Sequence, residues 1–248
     1  MTKEWITGRN PVYETLRTHR RTMFRLLVAQ GVQEKGRLAT ILEEASARRV
    51  PVEWAPRARL DALGENPQGV ALETSGYAYA GLQDVLNRAV ERSEPLFVLV
   101  LDLIQNPQNL GTLLRTGEAA GLHGVILPLA HAATVTPAVV SASAGASEHL
   151  LIAQANLAQA IEKLKQAGAW VIGLEGSLEA QPLEQVRLGG PLALVVGNEG
   201  EGLRPLVRRS CDLLMRLPMR GEVESLNAAV AGSIALYLAL SARETPDR

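Results

Sequence analysis

Apolar positions along this 248-residue chain follow two rhythms. Apolar runs at 97–103, 125–127, 170–174 and 192–196 read as strands covered on both faces. Other stretches repeat apolar residues at the spacing of one helix face, as Leu38, Ile41, Leu42 and Ala45 do within 35–48. On this pattern the first 75 residues alternate a helix at 12–18, a strand at 24–29, a helix at 35–48, a strand at 51–54, a helix at 57–63 and a strand at 70–73. That is a small α/β module. Residues 76–81, small and aromatic with Gly76 and Gly81, read as a linker. A second domain, 82–248, opens with a helix at 82–92. Helices follow at 110–120, closed by Gly121, at 137–143, at 157–167, closed by Gly168, and at 203–210. A terminal helix is expected at 225–241. Strands separated by helices imply a parallel sheet with both faces covered, so the expected class is α/β.

Three polar segments follow apolar runs, where open α/β sheets build ligand sites. Asn106-Pro107-Gln108-Asn109-Leu110-Gly111, with Arg115 beyond it, follows 97–104. Gly197-Asn198-Glu199-Gly200-Glu201-Gly202 follows 192–196. Leu217-Pro218-Met219, leading into Ser225-Leu226-Asn227, follows 213–217. An amide such as Asn109 holds a ribose or phosphate oxygen, or caps a helix; a guanidinium such as Arg115 grips phosphate, or stands in solvent. The glycine hexapeptide is no dinucleotide fingerprint, because Pro205 occupies the third glycine position. It reads as a tight loop presenting backbone groups to a ligand. Ser225 is a good N-cap for the terminal helix, which places Asn227 at its second position. That helix is apolar on nearly all sides, with Val230, Ala231, Ile234, Ala235 and Leu238, and a dimer interface is one way to bury its last face.

Composition narrows the classes. Hydrophobic content of 47% and charge of 21% are ordinary for a soluble globular protein. Cys211 stands alone, which excludes an internal disulfide framework. His19, His123, His131 and His149 lack ligand spacing, so no metal is expected. No apolar run approaches the roughly 20 residues that span a bilayer. The start, Thr2-Lys3-Glu4, does not read as a signal peptide, and a cytoplasmic protein is expected. The net charge of −1 is unevenly placed: residues 1–60 hold twelve basic against six acidic residues, a balance of +6 that leaves −7 elsewhere. A basic module suits a phosphate backbone, with Arg9, Arg20 and Arg21 as candidate RNA contacts.

The order and spacing of the three segments resemble the signature motifs of the SpoU (TrmH-type) family of RNA ribose 2'-O-methyltransferases, over about residues 95–243. Gly8-Arg9-Asn10-Pro11-Val12 is similar to the start of the L30-like substrate domain of one branch, which includes bacterial enzymes that methylate a guanosine 2'-OH in large-subunit ribosomal RNA. The resemblance implies a knotted SPOUT catalytic domain, S-adenosylmethionine as methyl donor, RNA as substrate and a homodimer. It also implies a catalytic set of Asn109, Arg115, Glu199, Ser225 and Asn227, with Gly197, Leu217 and Leu226 against the cofactor. The family usually has Asp where this chain has Asn106, which bears on any role needing a charge there. Transfer RNA, another ribosomal nucleotide and non-catalytic RNA binding on the same fold stay open as alternatives. The five intact motif residues argue against the last, and the module at 1–75 favours ribosomal RNA.

Overall fold

The computed structural model describes residues 2–198 and 200–244. The chain up to Ala78 is built from β1 (Lys3–Thr7), α1 (Arg9–Thr18), β2 (Met23–Ala29), α2 (Arg37–Ala47), β3 (Val52–Ala55), α3 (Arg57–Asp61) and β4 (Val70–Ser75). The sheet order is β1-β4-β2-β3; β2 and β3 are parallel, while β1 and β2 run antiparallel to β4. The sequence pattern does not reveal β1. Only Ile6 and Thr7 of its five residues are buried, so it lacks the alternation that separates a strand from a loop. α3 covers part of one sheet face, packing Leu60 with Leu27, Ala29, Ala55 and Ala71. The rest of that face carries a row of alternating charge. Lys3 lies 3.6 Å from Glu73, Arg25 bridges Glu73 at 2.9 Å and Glu53 at 3.1 Å, and Arg59 pairs with Glu53. With Arg17–Glu14, Arg21–Glu4 and Arg48–Glu44 added, six of the twelve basic residues are matched by acids within the module.

The second part of the chain begins with α4 (Leu82–Arg92), β5 (Phe97–Leu101), α5 (Pro107–Ala119) and β6 (Gly124–Pro128). It then leaves for α6 (Pro137–Ala142) and a 3-10 turn at Ala146–Glu148. It returns as β7 (Ile152–Ala155), α7 (Leu157–Gln166), β8 (Trp170–Leu174), β9 (Gln181–Pro182), β10 (Leu192–Val196), α8 (Pro205–Ser210), β11 (Leu213–Arg216) and α9 (Ala228–Glu244). Seven parallel strands form one sheet in the order β7-β6-β5-β10-β8-β11-β9. Every residue of β5, β6 and β10 is buried, as their unbroken apolar runs require. The short strands β7 and β9 were not anticipated. Among the described residues no helix is long and apolar enough to cross a membrane, and no group of His, Cys, Asp and Glu could hold a metal ion.

The expected contiguous division into 1–75 and 82–248 needs correction. Thr134–His149, the link between β6 and β7, packs into the first compact unit, and the second comprises Tyr79–Ala133 with the chain from Leu150 onward. Electrostatics explains the capture. Arg21 is wholly enclosed; its Nε and Nη2 donate to the equally enclosed Glu148 carboxylate at 3.0 and 2.9 Å, and its Nη1 donates to Glu4 at 2.8 Å. Burial opposes the charge on Arg21, but the bonds to Glu148 and Glu4 outweigh it and hold the guanidinium above its ordinary pKa. His149 adds a 2.8 Å bond to Glu14, and Tyr77 donates to the Ser147 carbonyl. Arg21, expected to touch RNA, is therefore a structural residue.

A buried pair broken on one side leaves an uncompensated charge. Arg21→Met is expected to destabilise the protein by about 3–5 kcal/mol, and Arg21→Met/Glu148→Leu to recover most of that loss. Urea denaturation checks both; a double variant no more stable than the single one contradicts the account.

Candidate active site

Hydrogen-bond register brings the three motif segments to one edge. Val196 of β10 pairs with Leu101 of β5 on one side and with Leu174 of β8 on the other; Leu174 pairs in turn with Met215 of β11. The four strands thus end on one row, and the segments after β5, β10 and β11 start side by side. The strand order also reverses here: β6 and β7 extend outward from β5, while β8 and β11 lie beyond β10. A reversal of this kind opens a crevice at the carboxyl edge of a parallel sheet.

A cavity of about 410 Å³ occupies this edge, a volume typical of small-molecule sites, which run from roughly 300 to 1,000 Å³. Leu174, Val196, Leu203 and Met215 give it an apolar floor, and Gly197, Leu217, Ser225 and Leu226 are in its wall. The glycine loop closes on itself, Asn198 and Gly202 exchanging backbone bonds of 3.2 and 3.1 Å. The Asn198 side chain also accepts from the backbone N–H of Gly200 at 2.7 Å and of Glu201 at 2.8 Å. A Cβ on Gly197 would lie 2.3 Å from the Gly202 carbonyl, so only glycine permits this approach. Glu199, expected in the active site, lies outside the described residues.

Polar groups at the cavity are tied to one another. Arg208 on α8 donates to Glu175 at 2.7 and 3.0 Å, and to Glu179 at 2.7 Å. The bond from Arg208 holds the Glu175 carboxyl below its usual pKa, and the same bond raises Arg208. Burial pushes the Cys211 thiol up to about 12, so it stays protonated and is no nucleophile. Asp102, directly after β5, is fully buried; its two oxygens accept from the backbone N–H and from Nε of Arg204, at 2.8 and 2.7 Å.

Two helix starts differ from expectation. α5 begins at Pro107, and Asn106 caps it, accepting from the Gln108 N–H at 2.8 Å. Asn caps as well as Asp does, so the departure at Asn106 preserves the local structure. Proline at the first helical position is unopposed because its missing N–H would have no partner there. α9 begins at Ala228, and its cap is Asn227 rather than Ser225. Asn227 accepts from the N–H groups of Ala229 and Val230 at 2.9 and 3.2 Å. The Asn227 amide also donates to Asn109 at 3.3 Å, joining the first and third segments.

The structure thus gathers Gly197, Leu217, Ser225 and Leu226 around the cavity and pairs Asn109 with Asn227 beside it. Arg115 does not line it. Six residues along a helix turn the side chain about 240° from Asn109, and Arg115 is exposed on α5 with no ion pair among the described residues. In the first unit, Arg9 donates to the Gln68 carbonyl and Arg20 to the Tyr77 hydroxyl; both are partly exposed. Asp102, Asn198, Glu175 and Arg208 escaped the sequence reading. Asp102 left one signal, a carboxylate inside an apolar run; pairs distant in sequence, such as Glu175 with Arg208, leave none.

Comparison with known proteins follows from this geometry. The profile of the SpoU rRNA methylase family matches residues 96–237, and that of the RNA 2'-O ribose methyltransferase substrate-binding domain matches residues 5–80. The chain is 42% identical over 244 residues to the 23S rRNA (guanosine-2'-O-)-methyltransferase RlmB of Pseudomonas putida, covering 97% of each protein. It resembles the AdoMet-bound rRNA methyltransferase of Sinorhizobium meliloti with a TM-score of 0.77 at 25% identity, covering 96% of this chain and 86% of that one. The SpoU methyltransferase AviRb of Streptomyces viridochromogenes shares the fold with a TM-score of 0.80 at 23% identity, over 96% of this chain and 90% of that one.

Gly197→Ala is expected to weaken S-adenosylmethionine binding at least about tenfold, equivalent to about 1.4 kcal/mol, with little change in circular dichroism. Titration calorimetry measures it. Unaltered affinity means that the loop adapts and the close approach is dispensable.

Proposed function

This chain belongs to the SpoU rRNA methylase family, and we propose that its substrate is a guanosine of large-subunit ribosomal RNA, methylated on the ribose 2'-oxygen. It transfers a methyl group from S-adenosylmethionine to a ribose 2'-OH of ribosomal RNA. The choice of guanosine rests on the Pseudomonas relative, which aligns along the substrate-binding module as well as the methylase part. A cytoplasmic location goes with that substrate. The knotted threading implied by the family belongs to the same reading.

The observation that carries the catalytic assignment is the common row on which β5, β10, β8 and β11 end. The cavity there fits the cofactor. Its apolar floor suits a purine, and the bare Cα of Gly197 lets the glycine loop close against Gly202 at the cavity wall. When bound, the cofactor supplies a methyl group already activated on a sulfonium, so the chemistry needs no metal. Gly197, Leu217 and Leu226 hold it, largely through backbone atoms. Asn109, braced by Asn227, orients a ribose or phosphate oxygen, and Ser225 faces the same edge. Arg115 binds the phosphate beside the reacting ribose, and its cation favours loss of the 2'-OH proton. Glu199 keeps its place in the set from its motif alone. Residues 1–75 supply RNA affinity, with Arg9 and Arg20 as contacts and Arg21 removed from that role.

A homodimer completes the reading. α9 turns Ala228, Gly232, Ala235, Leu236 and Ala239 inward and leaves Val230, Ile234 and Tyr237 exposed at 45, 40 and 52%. Their i, i+4, i+7 spacing makes one apolar stripe, which a second copy covers.

Mapping 2'-O-methyl groups in ribosomal and transfer RNA after incubation with labelled cofactor tests the substrate; methylation confined to transfer RNA overturns it. Arg115→Ala is expected to lower kcat by about 100-fold or more while S-adenosylmethionine affinity stays unchanged, since Arg115 is outside the cavity wall. Near-wild-type turnover removes Arg115 from the reaction. Ile234→Glu should convert a dimer to monomers in sedimentation at low micromolar concentration; a wild-type monomer with full activity rejects the interface.

A further inference from the structure

The turn from β5 into α5 is held in an unfavourable shape. Leu103 has φ 60°, in the left-handed region that strains any residue bearing a Cβ. Such strain persists only where the surroundings over-determine it. On one side Ile104 is buried, its carbonyl accepting from Ala133 at 2.8 Å, and Asn106 caps the helix beyond. On the other side stands Asp102. Its backbone N–H donates to Val196 at 2.8 Å, extending the ladder by one residue, and its buried carboxylate takes both the backbone N–H and Nε of Arg204. Arg204 is two residues beyond Gly202, the end of the glycine loop. One carboxylate thus joins the start of the first motif to the end of the second.

We infer that Asp102 is a positioning residue for methyl transfer: through Arg204 it fixes the glycine loop, and with it the cavity wall, relative to the helix that bears Asn109. This rests on the methyltransferase reading above. The Asp102 carboxylate is buried and bonds Arg204, while the Asp102 backbone N–H meets Val196 of the cavity floor, so the side chain neither binds RNA nor meets the reacting atoms. Its effect falls on alignment. An error of about 1 Å in a reacting pair costs on the order of 100-fold in rate.

Asp102→Asn keeps the shape but loses the charge and one acceptor. Arg204→Gln removes the guanidinium from a side chain that is 41% exposed, and tests the same link should Asp102→Asn fail to fold. Each single variant is expected to lose about 10- to 100-fold in kcat, with KM for ribosomal RNA within about twofold of wild type. The Asp102→Asn/Arg204→Gln double variant, in which two amides pair without charge, should recover at least about threefold over the worse single variant, a non-additive coupling. Melting temperatures fix an assay temperature at which every variant is folded. Folded single variants with wild-type kcat, or a double variant whose loss is the product of the singles, overturn the proposal. The wild-type control separates the two levels: no methyl transfer to RNA defeats the reading and the proposal together, whereas an active wild type with unimpaired variants defeats the proposal alone.

Discussion

The register of four parallel strands is the constraint on which the rest depends. Backbone bonds from Leu101 through Val196 and Leu174 to Met215 place four strand ends on one row. Loops separated by more than a hundred residues of chain must then emerge at one edge. A slip by one residue in any pair would turn the buried side chains of these strands to the opposite face. β5 and β10 are buried along their whole length and rich in Val and Leu, which makes that slip costly. Site geometry is thereby inherited from the packing of the core.

What the register brings together, short-range polar bonds then sharpen. Asn106 and Asn227 cap the two helices that flank the edge, and the Asn109–Asn227 bond ties those helix starts to each other. Asn198 folds the glycine loop by accepting from two of its N–H groups. Small residues allow the final closeness. A Cβ on Gly232 would lie 2.6 Å from Leu113, so glycine there lets α9 press against α5, and Thr116 bonds Ser233 across the same contact. The closeness that builds this inner face leaves Val230, Ile234 and Tyr237 of α9 on the outside.

The first unit is organised around a buried charge. Removing Arg21 and Glu148 from water is costly, and their mutual, bidentate geometry offsets it together with the bond from Arg21 to Glu4. The pair is also selective, because an apolar side chain opposite an intact Arg21 would leave its buried charge uncompensated. A segment lying between β6 and β7 in sequence is in this way committed to the unit formed by the chain up to Ala78. Hydrophobic patterning carries no trace of such a commitment. Glu148 reads as an ordinary surface acid in Ala146-Ser147-Glu148-His149, and Arg21 as one more member of a basic stretch.

Local rules settled a good deal. Apolar runs located β5, β6, β8 and β10, helical spacing located α2, α4 and α7, and the polar segments after the strands located the edge that carries the cavity. Those features depend on neighbours a few residues away, which sequence records directly. The tertiary structure decided where pairs distant in sequence meet. It turned Arg21 from a surface cation into a buried one, moved the cap of α9 from Ser225 to Asn227, and set Arg115 outside the cavity. It also made Asp102 and Arg204 partners across 102 positions. Burial, charge pairing and close approach are properties of the folded neighbourhood. A carboxylate or guanidinium has the same letter in the sequence whether water or a counter-charge surrounds it.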